Sequence, residues 1–232
     1  MTFAAPGTQA AKSATKTIPI VMAVTADAVG SGLVASLARP GGNVTGTTVL
    51  NPELMAKRLE LLKEIAPAMT QAAVLLNPGN AANGPVRQAM EIAAQTLKMG
   101  LHTFELRNAS ELESTFGAMA DRKIEGLIVH DDQVLIGAAQ AIATLAAKQS
   151  LPSCGFLEFA TAGGLSAYGV NFVQLCRRAA YFVDRILKGT PPSDLPVEQP
   201  TKFGLVVNLK TARTLRIAIS PTLLARADEV IE

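Results

Sequence analysis

One feature constrains the fold of this chain most: strand-length apolar runs alternate with amphipathic, helix-length stretches. The runs Ala72 to Leu76, Leu101 to Leu106, Gly126 to Val129 and Pro152 to Gly155 read as buried strands. Between them, Gly84 to Met99, Asn108 to about Arg122 and Leu135 to Gln149 carry the helical period. A β-α-β-α-β-α-β order over ~100 residues predicts a parallel sheet covered by helices on both faces, with right-handed crossovers. Flanking it, Pro52 to Ile65 predicts an amphipathic helix, with Leu54, Leu61, Leu62 and Ile65 apolar and Lys57, Arg58 and Lys63 polar. Phe172 to Leu187 predicts another helix, closed by Lys188-Gly189. Hydrophobic residues make up 49% and aromatics 4%, with no Trp, so the core is expected to be Ala, Leu, Val and Ile.

The stretch before this block reads differently. Ile18 to Val24 is a β-branched, apolar run, and Thr25-Ala26-Asp27 follows where the strand ends. Gly32 to Leu37 predicts a short helix, and Pro40-Gly41-Gly42-Asn43 forces a redirection. Met1 to Ala5 predicts the end of a strand, with a helix over Gln9 to Ala14. At the other end, Thr190 to Pro200 reads as a surface loop, Phe203 to Val207 as a last strand, and Pro221 to Ile231 as a final helix.

The run TKTIPIVM, then VGSGLVASLARPGGNVTG, resembles the substrate-binding proteins of ABC transporters, in the family that includes tryptophan- and tyrosine-binding lipoproteins. The likeness continues through LELLKEIAP, VLLNPGNAAN, FATAGGLSAYGVN and NLKTARTL, and so covers essentially the whole chain. It implies an α/β fold of the periplasmic-binding-protein type I kind: two Rossmann-like parallel-sheet lobes joined by a hinge. Residues 1–45 with 203–232 are then expected to form a first lobe, and 46–202 a complete second lobe. The resemblance also implies roughly two βα units, on the order of 60 residues, ahead of Met1, so the first lobe is expected to be truncated. An open sheet edge needs covering, which predicts association with a second copy.

Ligands of open α/β sheets bind beyond the carboxyl ends of the strands. That rule selects Thr8 and Asp27 in the first lobe, and Asn77, Asn83, Asp131, Glu158 and Phe159 in the second. Thr8 stands where a helix N-terminus offers free N–H groups, though it also suits an N-cap. Asp27, Asn83 and Asp131 can likewise be pocket residues or caps. The resemblance implies that Asn83 and Asp131 match polar ligand-contact positions, and that Glu158 matches a carboxylate holding an amino group. Phe156, Leu157 and Phe159 make this run more apolar than in the amino-acid binders, which points to a more apolar or aromatic ligand. Phe159 can pack on that ligand or belong to the core.

Other classes fit less well. Net charge is +2 with no dense basic run, so no nucleic-acid partner is expected. Gly30-Ser31-Gly32 and Gly163-Gly164 lack the strand-Gly-x-Gly-x-x-Gly-helix order of a dinucleotide site, and no cofactor is expected. Adjacent side chains point apart, so His130-Asp131-Asp132 predicts no metal. No apolar stretch approaches the ~18 residues of a membrane span. Met1 to Lys16 lacks the pattern of a signal peptide and reads as cytoplasmic, whereas the resemblance implies a periplasmic protein delivering a small molecule to an ABC permease. Cys154 and Cys176 read as two buried small hydrophobes. They also leave open an amino-acid racemase-like enzyme with opposed thiols, and a truncated, non-binding remnant is a third alternative.

Overall fold

The computed structural model describes residues 1–80 and 83–232. In chain order its elements are β1 (Thr2–Phe3), α1 (Ala4–Ala14), β2 (Ile20–Val24), β3 (Val44–Gly46), α2 (Asn51–Ile65), β4 (Gln71–Leu76) and α3 (Asn83–Thr96). There follow β5 (Gly100–Glu105), α4 (Leu112–Asp121), β6 (Gly126–Val129), α5 (Gln133–Gly137), α6 (Ala139–Lys148) and β7 (Ser153–Gly155). The last elements are α7 (Leu157–Thr161), β8 (Ser166–Gly169), α8 (Phe172–Leu187), β9 (Gly204–Asn208), α9 (Leu209–Leu215), α10 (Pro221–Arg226) and β10 (Glu229–Ile231). They divide into two compact units. Unit 1 holds residues 1–51 and 170–202, and unit 2 holds 52–169 and 203–232.

Unit 2 is built on a seven-stranded sheet of order β10-β9-β8-β7-β6-β4-β5. Every pair is parallel except β8 with β9. The strand period of two sorts its side chains cleanly. Ala73, Leu75, Leu127 and Val129 face one layer, with Phe116, Met119, Leu135, Ile142 and Ala146 of α4, α5 and α6. Ala72, Val74, Leu76, Ile128 and Cys154 face the other, with Met55, Leu59 and Leu62 of α2 and Val86 and Met90 of α3. Strands buried on both faces must be apolar throughout, which is why these runs were continuous rather than alternating.

Unit 1 repeats the arrangement on three parallel strands, β1-β2-β3. Ile20 and Met22 pack with Ala28, Leu33, Val34 and Val44, while Val21 and Ala23 pack with Ala179 and Phe182 of α8. Gly46 closes β3 with φ at 128°, and a Cβ there would stand 2.2 Å from the Met22 carbonyl oxygen. Only glycine permits that approach.

Several expectations are corrected. Residues 203–232 do not return to the first lobe. Leu205 and Val207 of β9 pack with Leu61 and Ile65 of α2, Ala212 and Leu223, while Val206 packs with Ala160 and Ala167. A strand apolar on both faces needs a sheet edge with cover on both sides, and β8 supplies one. Asn208 fastens the join: its Nδ2 donates to the Ala160 carbonyl (2.9 Å) and its Oδ1 accepts from Thr211 N (3.0 Å). Conversely, α8 and the loop after it belong to unit 1, because Leu175, Ala179 and Phe182 form the buried stripe of α8 and the last two pack on β2. The boundaries 1–45 and 46–202 therefore give way to 1–51 with 170–202 and 52–169 with 203–232.

Locally, Gly32 to Leu37 is a chain of turns, not a helix: Lys12 Nζ takes the carbonyls of Gly32 (2.6 Å) and Leu33 (3.0 Å), which a helix would have used. Helix α1 begins at Ala4 rather than Gln9. The expected final helix stops at Arg226, because Asp228 pairs with Leu205 through both its N–H and its carboxylate just ahead of the edge strand β10.

Candidate functional site

The carboxyl ends of β4, β6, β7 and β8 in unit 2 carry a connected polar edge. Its first part forms where β4 ends. Pro78 cannot extend the strand, and Asn77 turns the chain by accepting from Gly79 N at 3.1 Å. Asn77 and Asn80 then donate to the two carboxylate oxygens of Asp132, at 3.0 and 2.9 Å. Asp132 also caps α5, accepting from Val134 N at 2.9 Å. Asn83 opens α3 and donates to the Asn77 carbonyl at 2.7 Å. Its Oδ1 is buried and, among the described residues, has no hydrogen-bond partner.

The second part centres on Arg58 of α2, whose side chain is fully buried. Nε donates to the Tyr168 carbonyl (2.7 Å) and Nη1 to the Val129 carbonyl (3.0 Å), so one cation joins the ends of β8 and β6. Nη1 also pairs with the carboxylate of Asp131. A buried cation demands such a partner. His130, between strand end and acid, is buried, and burial holds its imidazole below the usual histidine range despite the neighbouring acids. The three adjacent side chains thus diverge: His130 inward, Asp131 to Arg58, Asp132 to the asparagines. Among the described residues, no cluster of His, Cys, Asp and Glu could hold a metal ion.

Glu158 lies in the first turn of α7, its side chain reaching the surface. Burial pushes its carboxyl above the usual range, and the charge of Asp131 adds to that; Arg58 and the Glu158 backbone N–H pull the other way. Glu158 is therefore an acid that gains from a cation beside it. Phe159 is corrected to a core residue: its side chain is fully buried in the α4–α6 layer and its ring lies 6.0 Å from that of Phe156.

In unit 1 the two candidates have local partners. Thr8 sits in the second turn of α1, fully buried. Its hydroxyl donates to the Ala4 carbonyl (3.0 Å) and meets the hydroxyls of Thr2 (2.8 Å) and Thr25 (3.3 Å). Asp27 has φ at 39° and its Oδ1 accepts from Gly30 N at 2.8 Å, which closes the turn after β2.

Arg58, expected on the polar face of α2, is instead buried at this edge. Its spacing was the signal: Leu54, Met55, Arg58, Leu61, Leu62 and Ile65 form one stripe at helical period, so Arg58 stands inside the apolar face.

Comparison with known proteins agrees with this architecture. The family described as ABC transporter substrate binding protein matches residues 1–231, and the chain belongs to that family. A solved structure from Streptococcus pneumonia, an ABC domain in complex with L-Trp, is 27% identical with a TM-score of 0.91, the match covering 99% of this chain and 77% of that one. A conserved domain protein from Vibrio cholerae O1 is 31% identical, also at 0.91, covering 98% and 76%. The tyrosine-binding protein of Clostridioides difficile (strain R20291) is 27% identical over 211 residues, or 90% of this chain; the chain spans 60% of that relative's length. The fold is accordingly α/β with parallel-dominated sheets, of the periplasmic-binding-protein type I kind.

Proposed function

We propose that this chain is the solute-binding component of an ABC-type importer and that its solute is an amino acid, with tyrosine and tryptophan the first candidates. The observation that carries this reading is the polar edge of unit 2. Glu158, an exposed carboxylate with no ion pair among the described residues, stands after β7 in the field of Arg58 and Asp131, and the bare acceptor Asn83 Oδ1 stands after β4. Both suit an ammonium group. The relatives described as bound to L-Trp and as tyrosine-binding support the ligand class. Asn77, Asn80 and Asp132 build the edge rather than contact the ligand, and Thr8 and Asp27 keep their local roles in unit 1.

The protein acts outside the cytoplasmic membrane, handing its ligand to a permease, and performs no chemistry on it. No helix among the described residues is long and apolar enough to cross a membrane. An opposed-thiol racemase needs two reactive thiols. Cys154 is fully buried and burial pushes its thiol up, while Cys176 packs half-buried against the β2–α8 core.

A thermal-shift screen with the twenty amino acids tests the reading. Ligand binding to the folded state raises Tm by mass action, and a ligand at about 100 times its Kd stabilises by about 2.7 kcal/mol. A rise with an aromatic amino acid is expected; no rise with any amino acid would favour a chain that has lost binding.

A further inference from the structure

Arg58 has one nitrogen left over. Nε and Nη1 are engaged by Tyr168, Val129 and Asp131, but Nη2 is buried and has no hydrogen-bond partner among the described residues. It lies against Gly169, the last residue of β8, where a Cβ would stand only 3.0 Å from it. Glycine there leaves the nitrogen its space, at the strand ends where ligands of such sheets bind. A guanidinium cannot shed its proton, so this N–H pair stays a charged donor. A buried donor without a partner is costly, and such a group is kept where its partner arrives from outside.

Its neighbours narrow the partner's chemistry. Asp131 is already committed to Arg58, and Glu158, in the same electrostatic field, has no ion pair among the described residues and is open to a cation. The edge therefore pairs one unspent cationic donor with one unspent anion, which matches a zwitterion rather than a simple amine.

We infer that Arg58 Nη2 takes the carboxylate of the ligand, and that Asp131 is a positioning residue that fixes the guanidinium rather than a ligand contact. This rests on the reading of the chain as an amino-acid binder.

Calorimetric titration with L-tyrosine and tyramine, and with L-tryptophan and tryptamine, tests it; each amine keeps the ammonium and lacks the carboxylate. Wild-type protein is expected to prefer the amino acid by about 10- to 100-fold, the worth of a hydrogen bond to a charged group. Arg58→Gln should remove that preference while leaving amine affinity in place. Asp131→Asn should lower the amino-acid-to-amine ratio, whereas a merely structural role would weaken both ligands alike. Equal wild-type affinity for amine and amino acid would overturn the inference without any variant, so it remains testable if Arg58→Gln does not fold. A folded Arg58→Gln that kept the preference would also overturn it, and neither result would touch the amino-acid reading. Wild-type protein that binds none of the four would remove that reading and the inference with it.

Discussion

Glu158 is the residue at which ionisation, stability and binding meet. Burial raises its carboxyl, so the folded chain keeps a proton that the unfolded chain has already released just above the ordinary carboxylate value. The folded state binds more protons in that window, and stability must fall as pH rises through it. Glu158→Gln has no such proton, so its stability relative to wild type should rise from pH 4 to pH 7 in urea unfolding. An unchanged difference across that range would sink the assignment. Ligand binding runs the opposite way, because an ammonium needs the ionised form. Affinity should increase with pH through the same window in wild type and be flat, and about 10- to 100-fold weaker, in Glu158→Gln.

Among the elements, β3 is held most tightly by geometry. Thr45 Oγ1 donates to the Leu195 carbonyl at 2.7 Å, and Gly46 lies on Met22. Gly46→Ala adds both a left-handed strain and a contact with backbone that cannot yield, so a loss of about 2–4 kcal/mol is expected in the urea midpoint. A change below about 0.5 kcal/mol would mean that β3 moves freely from β2. Elements with one strong period were readable in advance: β6 and α8 occupy the residues expected of them, because continuous burial and a 3.6-residue stripe leave little choice. The failures share a cause. Lys12 reaches across 20 residues to dissolve the expected 32–37 helix, and Asp228 pairs with Leu205 to make β10. Both are tertiary bonds with no local trace. Site residues divided the same way. Turn chemistry marked Asn77, but the cap expected of Asp131 is made by Asp132, and whether an acid faces a ligand or Arg58 depends on a helix some 70 residues away.

At the scale of the whole molecule, the chain passes between the two units three times, at 51/52, 169/170 and 202/203. The tail belongs to unit 2 through Val207, which is fully buried beside Leu61 and Leu165. Val207→Asp places an unpaired charge there and should cost several kcal/mol. Amide hydrogen exchange should then accelerate in β6 and β8 while β2 and α8 stay protected; the reverse pattern would return the tail to unit 1. The central claim is that this family member still binds an amino acid. Isothermal titration of the folded chain with L-tyrosine and with L-tryptophan measures it most directly. Saturable heat at one ligand per chain, with affinity about 10- to 100-fold weaker in Glu158→Gln, is the predicted result. The absence of saturable binding with either amino acid, in protein whose cooperative unfolding is intact, would contradict it.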